Sequence, residues 1–461
     1  MRAGAWATTL IAAVAAWAGT AARAQGVDPG MDHCARYASG ESSEAVVRGC
    51  YTWFQWTGGG ERMWRDLARR NIVDIFAIKA SGRYDRKALW EQFGVINDPG
   101  CRPRATPDAQ GLFLDDCADD VPRDNGKPRF PGQPTGVVGL RKFPNPKFDP
   151  AAWNPARYFA GETGIEPPYL VGMTCAVCHA TFNPTNPPKD PANPTAANIV
   201  GTLGNIYLRE GSIFTAQFRP DDFLWHYGRS QPAGTSDTSR VATDGIFNPN
   251  SITGIFMLDD RLKQPEKQAD GSIKNVHLIL KDGSDSVGLA QAALRVYVNI
   301  GLCSDYWLSL QDPLYGTRPQ QPFKIAEARR LSGEGKCLWN QTAALMDDVG
   351  VYLTAQRAPK LVDAPDGVRY VDLSPETQAR GAQVFARTCA GCHSSKRPPN
   401  EASLSRQQVA AWFGEAAKSP DFLAHNYLSD ERRHPVTVIG TNLGRTLGTN
   451  PERGHIWNDF S

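Results

Sequence analysis

Two pentapeptides carry the most specific chemistry in the chain: Cys175-Ala176-Val177-Cys178-His179 and Cys389-Ala390-Gly391-Cys392-His393. Both are C-x-x-C-H, the attachment signal for c-type haem. The two thiols add across the haem vinyl groups, and the two-residue spacer sets the sulfurs apart by the distance between those groups. The following His then lies under the iron as an axial ligand. The pattern predicts two covalently bound haem c groups. Cys175, Cys178, Cys389 and Cys392 are the attachment points, and His179 and His393 are the metal ligands. Two other chemistries use C-x-x-C. A zinc knuckle wants further Cys/His pairs at short spacing, and a thioredoxin-like redox pair does not need the following His.

The opposite face of each iron is the next question. An electron-transfer haem usually takes Met or a second His there, whereas a catalytic haem leaves the position open. After the initiator the methionines are Met31, Met63, Met173, Met257 and Met346, and none lies beyond Cys389. The usual downstream Met ligand of a cytochrome c domain is therefore missing. His425, His434 and His455 follow the second motif, while His226, Met257 and His277 are candidates for the first haem. Met257, inside Ile255-Phe256-Met257-Leu258, reads equally as core packing. Haem propionates need compensating charge, and Arg offers a two-point hydrogen bond. Arg209, with Arg219 or Arg229, is predicted to supply it at the first haem.

Different elements must position the two motifs. The second follows a helix with an explicit start: Ser374 caps it, Pro375 fits the first turn and Glu376 suits the positive end of the dipole. That helix should run to about Arg387, carrying Gly381 for a close helix crossing and Phe385 to pack near the haem edge, as in the N-terminal helix of class I cytochromes c. The first motif lacks this frame: Val171 stands in the aromatic position, and Pro167-Pro168 breaks the helix. Helical periodicity also appears over Glu61–Lys79, Val287–Ile300 and Gln341–Thr354. Between Asp98 and Pro150, 10 Pro and 6 Gly in 53 residues rule out long regular elements. Strand signals are sparse. The expected fold class is mainly α with extensive irregular loops and two cytochrome c-like haem domains.

The first 24 residues read as a secretory signal: Arg2, an apolar stretch from Ala5 to Ala18, and Ala22-Arg23-Ala24 at the cleavage site. The expected divisions are a signal over 1–24, a loop-rich extension over 25–150, a first haem domain over 151–365 and a second over 366–461. Six cysteines remain outside the motifs: Cys34, Cys50, Cys101, Cys117, Cys303 and Cys337. An even number in an exported chain favours disulfides, and the pairing 34–50, 101–117, 303–337 is one of 15 connectivities. The 461 residues carry 50 Lys+Arg against 48 Asp+Glu, a net charge of +2. That balance argues against a nucleic-acid partner, which needs a cationic excess. No stretch after the signal has the ~20 apolar residues of a membrane span. A periplasmic or secreted protein is expected.

Most of the chain after the signal resembles the dihaem c-type oxidoreductases that include rubber oxygenases, relatives of the bacterial dihaem cytochrome c peroxidases. The resembling stretches are Gly136–Arg141 through Phe143–Asp149, Cys175–Pro188, Gly204-Asn205 with Tyr207–Gly211, Tyr297–Gly301, and Leu428–Arg433 running to His455–Trp457. The spacing of His179 and His393 is nearer the rubber-oxygenase type than that of simple dihaem peroxidases. The resemblance implies that the haem on His179 binds dioxygen and that the haem on His393 transfers electrons with two His ligands. Members of the group continue past the position of Ser461, and their distal His for the second haem lies in that region, so the chain is read as C-terminally truncated.

Three functions compete. An oxygenase cleaving a hydrophobic, polyisoprenoid or polymeric substrate needs an open iron in an apolar pocket, for which Trp225, Phe256, Tyr297, Tyr306 and Trp307 are candidate linings. A hydrogen peroxide reductase, fed by a small electron-transfer protein, needs an acid/base from among Glu162, Glu166, Glu210 and His226. A non-enzymatic dihaem carrier needs two closed irons.

Overall fold

The computed structural model describes residues 33–34, 43–118, 123–124, 127–128, 130–201, 204–230, 264–267, 271–276, 288–310, 321–355 and 360–422, with 426, 430 and 438. The expected signal, Met31, Phe256, Met257, His277, His425, His434 and His455 lie outside these residues.

Helix α1 (Glu44–Gln55) starts where the Ser43 hydroxyl accepts a hydrogen bond from the Val46 amide, satisfying an otherwise orphaned donor. Its buried face carries Val46, Gly49, Cys50 and Trp53, at helical spacing. Gly49 is there for contact: a Cβ at that position would sit 2.1 Å from the Asp348 carbonyl oxygen. The partner is the longest helix described, Trp339–Thr354, and Arg48 grips Asp348 across the crossing through two bonds of 2.8 and 2.9 Å.

The helical pattern over Glu61–Lys79 is two helices, α2 (Glu61–Arg69) and α3 (Ile75–Ala80). The periodicity continues across the gap, but Asn71 turns into the left-handed region at φ 57° and Asp74 restarts the helix by capping Ala77 at 2.9 Å. In the Pro- and Gly-rich segment the longest strand is β1 (Leu140–Pro144). It pairs antiparallel with β2 (Tyr169–Met173), placing Leu140 opposite Met173, and with a two-residue strand at 133–134 on its other side. The remaining described strands form two-stranded sheets.

Strand β2 runs directly into the first motif. Beyond it come the short helices α4 (Glu210–Phe214) and α5 (Phe223–Arg229), then α6 (Gly288–Asn299), α7 (Ser304–Leu310), α8 (Ile325–Gly333) and α9 (Trp339–Thr354). The C-terminal part carries α10 (Pro375–Val384) and α11 (Arg406–Ala416). Ser374 caps α10 through the Thr377 amide, with Pro375 and Glu376 in its first turn. The helix then widens into a π turn over Phe385–Cys389.

Buried hydrophobic residues from Cys34 to Tyr352 form one core, so residues on both sides of position 150 pack together. A second, small core gathers Ala386, Ala390, Phe413 and Phe422. The disulfides are Cys34–Cys50, Cys101–Cys117 and Cys303–Cys337, the sequence-local pairing. Three such bonds fit an oxidising compartment outside the cytoplasm. Among the described residues no helix is long and apolar enough to cross a membrane.

Candidate haem attachment sites

The four cysteines of the two C-x-x-C-H motifs are the ones left outside disulfides. At the first, Ala176–His179 make a single helical turn in which the His179 amide donates to the Cys175 carbonyl at 2.9 Å. Side chains three and four residues apart share a helix face, so Cys175, Cys178 and His179 are carried together. Thr174 precedes the turn; its hydroxyl accepts from the Ala176 amide at 3.3 Å, and its own amide donates to Gly139 at 2.9 Å. Gly139 has φ +79°, and a Cβ there would lie 2.6 Å from the Val177 nitrogen. Only glycine lets the chain before β1 lie this close under the attachment turn.

Residues far away in sequence complete the surroundings. The Trp53 indole N–H donates to the His179 carbonyl at 3.2 Å, and its ring meets the imidazole edge-on at 5.8 Å between centroids. The Asn205 amide donates to the Cys178 carbonyl at 2.8 Å while its side chain holds Gly94 at 2.9 Å. The hydroxyl of the fully buried Tyr297 hydrogen-bonds the Cys175 side chain and reaches the Thr52 and Trp56 carbonyls at 3.4 Å. Glu210, 3% exposed, is close enough to Cys178 to act on its charge.

Burial pushes the Cys175 thiol up to about 11, against the Tyr297 hydrogen bond, and pushes Cys178 up further with help from Glu210 and Cys175. A redox pair needs a thiolate, which this burial disfavours. Nor, among the described residues, does any group of three or more His, Cys, Asp or Glu form a set able to hold a metal ion alone. A buried Cys175 and a half-buried Cys178, with a histidine one turn on, fit thioether attachment of haem.

Gly139, which lies against Val177, also lines a cleft of about 70 Å³ whose lining includes none of Cys175, Cys178 and His179. Its walls include Tyr51 and Phe54 of α1, Val137, Val138 and Gly139 ahead of β1, and Arg141 on it.

The second motif is arranged differently. Cys389 closes the π turn, and the His393 and Cys392 amides donate to its carbonyl at 2.8 and 3.1 Å. Arg397, stacked over Phe413 at 5.3 Å and paired with Glu401, donates to the Gly391 carbonyl at 2.6 Å. Burial, reinforced by Asp430, pushes the Cys392 thiol up. His393 is exposed. Phe385 packs edge-on against Phe422 at 6.1 Å. Gly381 makes no close crossing: it is exposed, and a Cβ there would meet nothing within 4 Å among the described residues.

The other sequence candidates scatter. Arg209 is exposed, its backbone amide bonded to Phe93; Arg219 pairs with Asp221 at the surface; and Arg229, also exposed, donates to Thr215 at 2.9 Å and covers Trp225. His226 is exposed on α5, Glu162 pairs with Arg157 on the surface, and Glu166 is held by Arg65 at 3.1 Å and Arg69 at 2.9 Å. Of the acid/base candidates only Glu210 is buried beside the motif. Met63 and Met346 belong to the main core, as does Trp307; Tyr306 packs on Phe323 at 5.1 Å. Trp53 and Gly139 are the neighbours that motif reading missed, and Gly139 lies in one of the resembling stretches. Compared with family models, with curated proteins and with solved structures, the chain matches none.

Proposed function

We propose that the chain is a periplasmic dihaem c-type oxidoreductase. In this reading the haem on Cys175, Cys178 and His179 activates dioxygen for oxidative cleavage of a hydrophobic, polyisoprenoid-type substrate. The haem on Cys389, Cys392 and His393 transfers electrons. The observation that carries it is the sorting of ten cysteines: six in disulfides, and four kept as thiols in two turns that each end in His.

Bound haem supplies an iron that takes dioxygen at a position without a strong protein ligand. The protein's own part is positional. Trp53 fixes the His179 carbonyl and ring, and Tyr297 and Gly139 hold the attachment turn. A second reading, hydrogen peroxide reduction, is supported by one feature, a buried carboxyl, Glu210, close enough to Cys178 to act on its charge.

Mass spectrometry of the exported protein is expected to show two haems per chain, and Cys175→Ala with Cys178→Ala to remove one and leave the other. Carbon monoxide is expected to bind the reduced protein at the first haem. Binding at the second haem alone would overturn the assignment, and no binding at all would make the chain a carrier. Oxygen uptake with oligo-isoprene, giving carbonyl products, separates the oxygenase from a peroxide reductase, whose activity Glu210→Gln should abolish.

A further inference from the structure

We propose that Arg397 and Glu401 form a charge-balanced clamp on the second attachment turn, and that this pair sets the redox equilibrium of the haem held there. The inference rests on the dihaem reading above and deepens its electron-transfer half. Three observations carry it. First, Arg397 is bonded to the turn itself. One guanidinium nitrogen donates at 2.6 Å to the carbonyl of Gly391, which lies between Cys389 and Cys392. The neighbouring Ala390 is fully buried in the same small core as Phe413, so the turn is held at two adjacent points.

Second, the guanidinium is fixed from several directions. It lies over the Phe413 ring, 5.3 Å from the centroid, and Phe413 is buried. Its Nε donates to one carboxylate oxygen of Glu401 at 3.0 Å, and Nη2 donates to the other. Arginine's planar fork can grip a carboxylate at two points and a carbonyl at a third, whereas a lysine ammonium is a single point on a flexible stem. Third, the two side chains are only 20% and 19% exposed. Charges drawn this far out of water are screened by salt less than surface pairs. Together they nearly cancel, while either one alone would act on a nearby iron through a medium of low effective dielectric. Asp430, whose amide donates to the Cys392 carbonyl at 3.0 Å, stays unchanged in every variant below.

The test is redox titration of the exported two-haem protein and its variants. The wave missing from Cys389→Ala with Cys392→Ala belongs to the second haem. Arg397→Gln leaves Glu401 unbalanced, and the added anion favours the ferric state. Glu401→Gln leaves Arg397 unbalanced and favours the ferrous state. Each should move the one-electron equilibrium about threefold to tenfold, about 28 to 59 mV, in opposite directions. The double variant should return to within about twofold of wild type, and so should Arg397→Lys, which keeps the charge. A role confined to folding would not give shifts of opposite sign. If Arg397→Gln carries no haem on Cys389 and Cys392, Glu401→Gln and Arg397→Lys decide. Shifts of the same sign overturn the proposal, as does an unmoved equilibrium in Glu401→Gln or a double variant displaced as far as either single one. Wild-type protein with no haem on Cys389 and Cys392, seen first by mass, overturns instead the reading on which it rests.

Discussion

The carboxylate of Asp115 lies between two cations, Lys79 at 2.5 Å and Arg86 at 2.8 Å, with all three side chains buried. Arg86 also donates to the Asp98 and Cys101 carbonyls, so the cluster ties the Pro-rich segment to the helical core. Burial lowers the Lys79 pKa, and Asp115 opposes that shift. Removing Asp115 leaves two buried charges without their partner. Asp115→Asn should cost about 3–5 kcal/mol in urea unfolding. Asp74 makes the opposite case. Burial raises its pKa above the ordinary 3.8, against hydrogen bonds from Tyr158 at 2.6 Å and the Ala77 amide. A carboxyl raised in the native state binds protons more tightly there than in the unfolded chain. Its stabilising contribution is complete below the ordinary carboxylate range and is lost as pH rises through the native value. Asp74→Asn still caps α3, so relative to wild type its stability should rise as pH climbs above the ordinary carboxylate range, about pH 4. Thermal melts across that range check the sign; a flat difference refutes it. At this scale the two C-x-x-C-H motifs were legible because their chemistry is written in spacing along the chain. Trp53 and Gly139 were not, being one of 12 Trp and one of 43 Gly whose roles depend on contacts across more than thirty residues.

Gly139 belongs to the scale of elements, because it lets the chain entering β1 pass beneath the attachment turn. Gly139→Ala adds a carbon 2.6 Å from the Val177 nitrogen, at a φ of +79° that alanine resists. Since the obstacle is backbone, the turn itself must move. We expect the variant to lose the haem at Cys175 and Cys178 while retaining the one at Cys389 and Cys392, resolved by peptide mass spectrometry. Two intact haems at wild-type yield would refute the role. Helices were legible where apolar periodicity and caps agreed: Gly288–Asn299 against the expected 287–300, Trp339–Thr354 against 341–354, and α10 with its Ser374 cap. Periodicity alone misjudged 61–79, since Asn71 and Asp74 break the backbone without disturbing the apolar spacing. The end of α10 differs for a related reason: sequence does not distinguish an α turn from the π turn that delivers Cys389.

Across the whole molecule, two cores of unequal size underlie the motifs. The first draws on residues from Cys34 to Tyr352, whereas the second buries only Ala386, Ala390, Phe413 and Phe422 among the described residues. Nearby apolar side chains stay in water, with Tyr370 at 81% exposed and Val368 at 66%. So small a core holds a fold poorly without a staple, and a covalent haem is one. Cys389→Ala with Cys392→Ala should therefore abolish hydrogen-exchange protection over 375–416 while leaving α1 and α9 protected. Equal protection in the variant would show that the C-terminal part stands alone. The unequal burial also sets an order of biogenesis. Cys175 is buried and bonded by Tyr297, and Trp53 meets the His179 ring from a helix fastened by the Cys34–Cys50 bond. On the proposed dihaem reading, a haem ligation enzyme would have to reach Cys175 before that bond forms and the helix closes. Cys389, Cys392 and His393 remain at least partly open to solvent. If both motifs take haem as proposed, oxidation and haem supply would compete most sharply at the buried Cys175, and haem starvation should favour chains loaded at the more open C-terminal motif.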